Sequence, residues 1–340
     1  MNNVDFLKYV SNELKNNRNV DFEYKINDIT YKIKFLPSNS NKGINIPSII
    51  AIPLLEKINN QIIVESNNLE SDNFEEIVEQ GALTGLRLAR LTKEYPGPIV
   101  IPLIPSHSNY PYFQQLSKEC FNIPSDDKNY RMDEQVVRII DNAKSIIEKE
   151  TGLIVQDKIF LNGYSSSGVF AQRFALLHPE IIETACIGGA SGSIPIPTEK
   201  ISYPIGIADY EFLTGKKFDY ENYSKIHFKY YVGEFETKNK SHTRFDELGN
   251  PAPMHDMSYF NRSVPMDVGK VQRNLLGNEM FYRIENTIKI LQNLGIDIQH
   301  EIILGRGHNN INGIGVNELG EKNIIESYRN SLENKNEKTL

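Results

Sequence analysis

Cysteine is scarce in this chain of 340 residues: there are two, Cys120 and Cys186, both in apolar surroundings. Two such residues do not make a disulfide framework, and both read as small core residues. No apolar run reaches the length needed to cross a bilayer, so no membrane partner is expected. The opening MNNVDFLKYVSNELKNNRNV has no hydrophobic signal core, and the expected location is the cytoplasm. Long basic runs are also missing. The net charge is −7, from 37 basic and 44 acidic residues, which excludes nucleic acid as an expected partner. There is no internal repeat and no signature of oligomeric state. What is present is an ordinary globular balance, 39% hydrophobic and 24% charged, enough for a sizeable core.

The pattern along the chain alternates strands with helices. Residues 4–17 read as an amphipathic helix with Phe6, Leu7 and Val10 on one face. Residues 20–27 and 29–36 alternate in polarity and read as an antiparallel hairpin turned by Asn27-Asp28. Further strands are expected at 46–53, 61–68, 98–106, 159–161, 184–193 (ending in a glycine-rich loop), 226–236 and 297–305. Helices are expected over Asp72–Lys93, with Ile77, Leu83, Leu86 and Leu91 inward, and after Asp133 as a cap, ending at Gly152. More helices are expected behind residue 165, near 209–215, over Glu279–Leu294 and over Gly313–Leu332. The expected fold class is α/β: a doubly wound, mostly parallel sheet with an N-terminal antiparallel hairpin. An N-terminal helix (1–19) precedes a core of 20–237 and 279–332. Residues 238–278 form an insertion without clear period, and 333–340 a tail.

The stretch DKIFLNGYSSSGVFAQRFALLHP, 157–179, organises the rest. The apolar Ile159-Phe160-Leu161 reads as a buried strand. Val169, Phe170, Phe174 and Leu177 fall at helical spacing before Pro179. Between them lies Gly163-Tyr164-Ser165-Ser166-Ser167-Gly168. Strand, small-residue turn with a serine at its tip, then helix is the geometry of a nucleophile elbow. Such a serine stands on so tight a turn that the residues two before and two after it must be small. Ser165 is flanked in this way by Gly163 and Ser167. Ser166 would have Tyr164, and Ser167 would have Val169, so Ser165 is the expected nucleophile. The usual G-x-S-x-G pattern is departed from, because Ser167 takes the second glycine's place and Gly168 follows one residue later.

A serine hydroxyl needs a base to take its proton and a carboxylate to orient that base. His308 stands four residues beyond the last expected strand, in Gly305-Arg306-Gly307-His308, where glycines let the imidazole lean over the sheet edge. His178 lies at the far end of the elbow helix, and His227 and His300 lie inside strands. The acid should follow a strand on the same edge. Glu236, in YYVGEFE, is favoured, with Glu234 the rival and Asp246 a more distant one. The tetrahedral intermediate requires two N–H donors. Ser166, at the start of a helix, is expected to supply one, and Asn68, in the loop after the 61–68 strand, the other, with the loop Ser106-His107-Ser108-Asn109 as its competitor. Ser106, His107 and Tyr164 are expected to line the pocket. In 238–278, His242, Phe245, Met254, His255, Met257, Tyr259, Phe260 and Met266 suggest a partial lid over an acyl pocket. A metal site from His242, His255 and Asp256 is conceivable but their spacing is not diagnostic, and neither metal nor cofactor is expected.

The order serine, acid, histidine, together with GYSSSG backed by VFAQRFALLHPE, YYVGEFE and GRGHN, resembles the α/β-hydrolases of the esterase kind. The elbow and histidine loops are similar to those of polyhydroxybutyrate-depolymerase-like and feruloyl-esterase-like hydrolases. That resemblance implies hydrolysis of a small-molecule ester through an acyl-serine intermediate. An acyltransferase or peptidase on the same triad, or a non-catalytic binding protein on the same scaffold, are the alternatives. Ser167 for glycine, Glu236 for aspartate and an oxyanion loop without a glycine run are departures from the family pattern.

Overall fold

Why the serine turn lies at the centre of the molecule follows from how the strands are ordered. The structure is a computed structural model that describes residues 3–68, 71–110, 112–190, 192, 194–234, 243–245, 251–253, 264–277, 280–304 and 318–336. In chain order the elements are α1 (Asn3–Lys15), β1 (Val20–Ile26), β2 (Ile29–Leu36), β3 (Ser48–Pro53), β4 (Ile63–Val64), α2 (Phe74–Leu91), β5 (Ile99–Pro102) and α3 (Met132–Thr151). Then come β6 (Ile159–Tyr164), α4 (Ser166–Leu177), β7 (Ile182–Gly188), α5 (Tyr210–Thr214), α6 (Tyr220–Ser224) and β8 (His227–Gly233). Last are β9 (Thr243–Phe245), β10 (Pro251–Pro253), α7 (Met266–Leu276), α8 (Met280–Asn293), β11 (Ile298–Ile303) and α9 (Glu318–Asn336).

Nine strands form one sheet in the order β1-β2-β3-β5-β4-β6-β7-β8-β11. The first three pair antiparallel, from Val20↔Phe35 to Ile26↔Ile29 in the hairpin, with Asn27 at φ 54° in its turn. The other six are parallel. After β4 the chain goes outward to β5 and returns to the other side of β4 as β6. The order reverses there, and in such sheets a crevice opens at the carboxyl ends of the strands flanking that point. Those ends carry Glu65–Asn68 and Ser165.

The two faces of the sheet bury separate cores. Ile159 and Leu161 of β6 pack with Val64, Val136, Ile140, Phe170 and Phe174 under α3 and α4. Phe160 and Tyr164 of the same strand pack with Ile63, Ile77, Leu88, Ile324 and Tyr328 under α2 and α9. The period-two alternation of β6 thus feeds both layers, and the sheet is doubly wound with an antiparallel N-terminal hairpin, the expected fold class. Cys120 and Cys186 are buried free thiols, as expected, and burial pushes both up to about 12.

Three local expectations are corrected. Leu83 is half exposed, because α2 turns the stripe Ile77, Val78, Gly81, Thr84, Gly85 and Leu88 inward. A side chain at Gly81 would meet Leu103 at 2.2 Å, so the helix approaches the sheet through glycine rather than leucine. Asp133 does not cap α3. Arg131 holds the N-cap position at φ 45°, and Asp133 is buried in the first turn. The stretch 238–278 is not without regular structure, since β9, β10 and all of α7 lie in it. The α7 residues Val268, Gly269, Gln272 and Leu276 are buried, and Val264 and Val268 join Ile201 and Ile205 in a small core of their own. The short stripe is broken by glycine and glutamine, which hides the period.

Candidate active site

Ser165 takes φ 57° and ψ −116°, a conformation that a residue with a Cβ rarely adopts. It is the hinge between β6 and α4. Its N–H donates to the Gly188 carbonyl of β7 at 2.9 Å, and its own carbonyl starts the helix by accepting from Val169 N–H at 2.9 Å. Glycine is required nearby. A Cβ on Gly163 would lie 2.3 Å from the Ser167 carbonyl oxygen, and one on Gly168 would lie 2.7 Å from that of Gly188. The glycine that seems displaced in the sequence is therefore needed where it stands, since there α4 passes over the end of β7.

Ser167 fills the position where the common pattern has glycine, and it is fully buried. Its Oγ accepts from Tyr164 N–H at 2.9 Å and lies 3.0 Å from the Tyr164 carbonyl and 3.3 Å from Glu65 Oε1, either of which takes its proton. Glu65 is only 2% exposed. Both its oxygens receive Arg87 Nη2 of α2 at 2.6 Å, and Asn162 Nδ2 of β6 donates to Oε2 at 2.6 Å. A buried carboxylate is tolerated only when paired and hydrogen-bonded in this way. The sequence carried signals for this group in the acid ending QIIVE and the lone Asn162 inside FLNGY, and neither was read as part of the site.

The loops beside the elbow are held by amide side chains. Asn68 Oδ1 accepts from Ser167 N–H at 2.9 Å, so the residue expected as an oxyanion donor contacts the elbow helix through its side chain. Asn67 is fully buried and ties this loop to the one after β5, exchanging bonds with the Ile104 N–H and carbonyl at 2.7 and 3.0 Å. Gln115 Nε2 donates to Ser166 Oγ at 2.9 Å, and Gln114 Nε2 donates to the Asn67 carbonyl. Ser106 Oγ donates to Asp72, and His107 Nδ1 accepts from Asn109 N–H at 3.2 Å while its ring rests against Tyr110 and Phe113. Tyr164, expected in the pocket wall, is 2% exposed and packs against Tyr231 at 6.2 Å between ring centres. Even-numbered side chains of β6 face α2, which turns the Tyr164 ring into that core.

The ends of β8 and β11 are neighbours, with Gly233 opposite Ile303, on the sheet edge where Ser165 stands. Glu234 directly follows β8 and is partly buried. Glu236, Asp246, His308, His242, His255 and Asp256 lie outside the described residues, as does most of the lid segment. Of that segment, α7 reaches the loop beyond β7, where Gln272 Nε2 donates to the Gly192 carbonyl at 3.4 Å. Among the described residues no group of three histidine, cysteine, aspartate or glutamate side chains is placed to hold a metal ion, and no helix is long and apolar enough to cross a membrane.

His178, at the far end of α4, has a partner that sequence reading missed. Its Nε2 lies 2.9 Å from Asp133 Oδ2, both residues being 3% exposed, and its Nδ1 lies 3.5 Å from Glu180. Burial disfavours the imidazolium, but the hydrogen bonds to Asp133 and Glu180 outweigh it and raise the His178 pKa. Burial likewise opposes ionisation of Asp133, and Arg131 and His178 together hold its carboxyl well below the usual range. This charged group lies at the opposite end of α4 from Ser165.

No protein-family model matches the chain, and no curated protein matches it in sequence. Similar solved structures include poly(aspartic acid) hydrolase-1 from Sphingomonas sp. KT-1, at 16% identity over 86% of this chain and 94% of that one, with a TM-score of 0.47. A poly(3-hydroxybutyrate) depolymerase from Bordetella parapertussis is 13% identical over 89% and 88%, also at 0.47. An esterase from Pyrobaculum calidifontis is 12% identical over 95% and 89%, at 0.44. The fold follows from the chain's own geometry: a parallel sheet entered through antiparallel strands, an order that reverses at β4, and a serine at φ 57° between a central strand and its helix. In strand order and elbow, this chain has the α/β-hydrolase fold.

Proposed function

We propose that the chain is a serine hydrolase that cleaves carboxylic esters through an acyl-serine intermediate. The observation that carries this reading is the strained backbone of Ser165, at φ 57° and ψ −116°, held where the sheet opens. Strain of about 1–3 kcal/mol persists only where the surroundings impose it, and such residues gather at functional sites. The turn lifts Oγ away from the sheet and puts the Ser166 N–H at the start of α4, where a helix offers N–H groups that its own carbonyls do not use.

In this reading His308, oriented by Glu236, takes the Ser165 proton as Oγ attacks the ester carbonyl carbon. The electron pair of the carbonyl moves to its oxygen, which the N–H groups of Ser166 and Asn68 stabilise. Collapse of the intermediate breaks the carbonyl–alkoxy bond, and His308 returns its proton to the departing alcohol. Water, deprotonated by the same imidazole, then attacks the acyl-serine and releases the acid and free Ser165. What supports the histidine and acid assignments is topology. The chain leaves β8 toward Glu236 and β11 toward His308 from adjacent strand ends. The helix α7, beside the loop after β7, supports a partial lid in 238–278.

Hydrolysis of short-chain nitrophenyl esters tests the proposal. Ser165→Ala and His308→Ala should each lower kcat by about a thousandfold or more. Glu236→Gln should lower it far more than Glu234→Gln. Full activity in Ser165→Ala would refute the assignment, and a larger loss in Glu234→Gln would move the acid to Glu234.

A further inference from the structure

We infer that Ser167 is the joint that fixes the β4 loop to the elbow, and that it is a positioning residue for Ser165. The catalytic part of this inference rests on the hydrolase reading above. β4 pairs with β6 at only two positions, Ile63↔Phe160 and Val64↔Leu161. Beyond Leu161, the β4-facing edge of β6 runs on toward the elbow with no strand among the described residues to pair with. Side chains take over. Glu65 accepts from Asn162, and the Ser167 hydroxyl accepts the Tyr164 N–H at 2.9 Å. The same residue offers its own N–H to Asn68 Oδ1 at 2.9 Å.

Ser167 therefore contacts three parts of the site at once. Through Oγ it holds the last strand residue before the nucleophile. Through its N–H it holds Asn68 and so fixes the spacing between the β4 loop and Ser166. Through Glu65 Oε1, at 3.3 Å, it touches a carboxylate anchored by Arg87. A glycine here would match the common elbow pattern, yet it would remove the hydroxyl that accepts the Tyr164 N–H at 2.9 Å, and losing a buried hydrogen bond is destabilising. The departure from G-x-S-x-G, on this account, is functional: the hydroxyl does for the elbow what a longer β4 would do by backbone pairing.

The test uses the full chain with Ser167→Ala, which removes the hydroxyl but keeps a good helix former, and Ser167→Gly, which restores the common pattern. Active sites are titrated with a fluorophosphonate so that kcat refers to competent molecules, and amide hydrogen exchange is followed in the peptide covering residues 63–68. Both variants should lose about tenfold or more in kcat per titrated site with little change in KM, and exchange in the β4 loop should accelerate. Native kcat in both variants would overturn the inference while leaving the hydrolase reading intact. If the native protein turned over no ester, the hydrolase reading would fail and exchange alone would decide. Acceleration in the variants would uphold the joint, and unchanged exchange would remove it.

Discussion

A left-handed serine between a strand and a helix is held by what its neighbours lack. Gly163 has no side chain to collide with the Ser167 carbonyl, and Gly168 none to collide with Gly188. The expected consequence is sharp. Gly163→Ala must move backbone, because its Cβ would lie 2.3 Å from a carbonyl oxygen. It should lose about 1–3 kcal/mol of stability and nearly all ester turnover. Gly152→Ala offers the contrast. That residue ends α3 at φ 70° with open space around it, so its cost is backbone strain of about 1 kcal/mol, with turnover kept. Thermal unfolding and nitrophenyl ester assays on both variants check this. Equal activity in the two would show that the elbow tolerates a side chain at 163.

At the scale of elements, α4 begins at the strained Ser165 and ends at a buried charge group. Protons link that group to stability. His178 has a pKa raised above its ordinary 6.5, so its contribution is complete below about 6.5 and is lost as pH rises through the raised value. Asp133 has a pKa depressed below its ordinary 3.8, so its contribution is complete above about 3.8 and is lost as pH falls through the depressed value. Between those limits the pair stabilises most. Native Tm should therefore fall as pH rises above 6.5, and the fall should be smaller in His178→Gln, which stays neutral throughout. The same slope in both proteins would contradict the linkage.

The elements also show what the sequence made legible. The hairpin, β6 and α4 were readable because alternation, a buried apolar run and a small-residue turn are local signals. Asp133 looked like a cap because acids favour helix starts. Its partners are Arg131, two residues before it, and His178, 45 residues away, and no local pattern encodes the second pairing. Leu83 was expected inward because leucine is apolar. The close approach of α2 to Ile49 of β3 and to Leu103 after β5 instead selects Gly81, and a contact made through glycine leaves no hydrophobic trace. Glu65 carries no local signal of its role, since that role depends on Arg87 and Asn162 from two other elements.

For the whole molecule, the sheet brings distant segments to one edge. The β4 loop, the elbow, the β8 end and the β11 end all emerge at carboxyl ends of parallel strands, the region where open α/β sheets place their ligands. The central claim is that one of these segments presents an activated serine. Its most direct measurement is covalent labelling with a fluorophosphonate probe, followed by mass-spectrometric mapping of the modified peptide. The account predicts one label per chain, on Ser165, absent in Ser165→Ala and slowed by about a thousandfold or more in His308→Ala. Labelling of native protein no faster than of Ser165→Ala would contradict it.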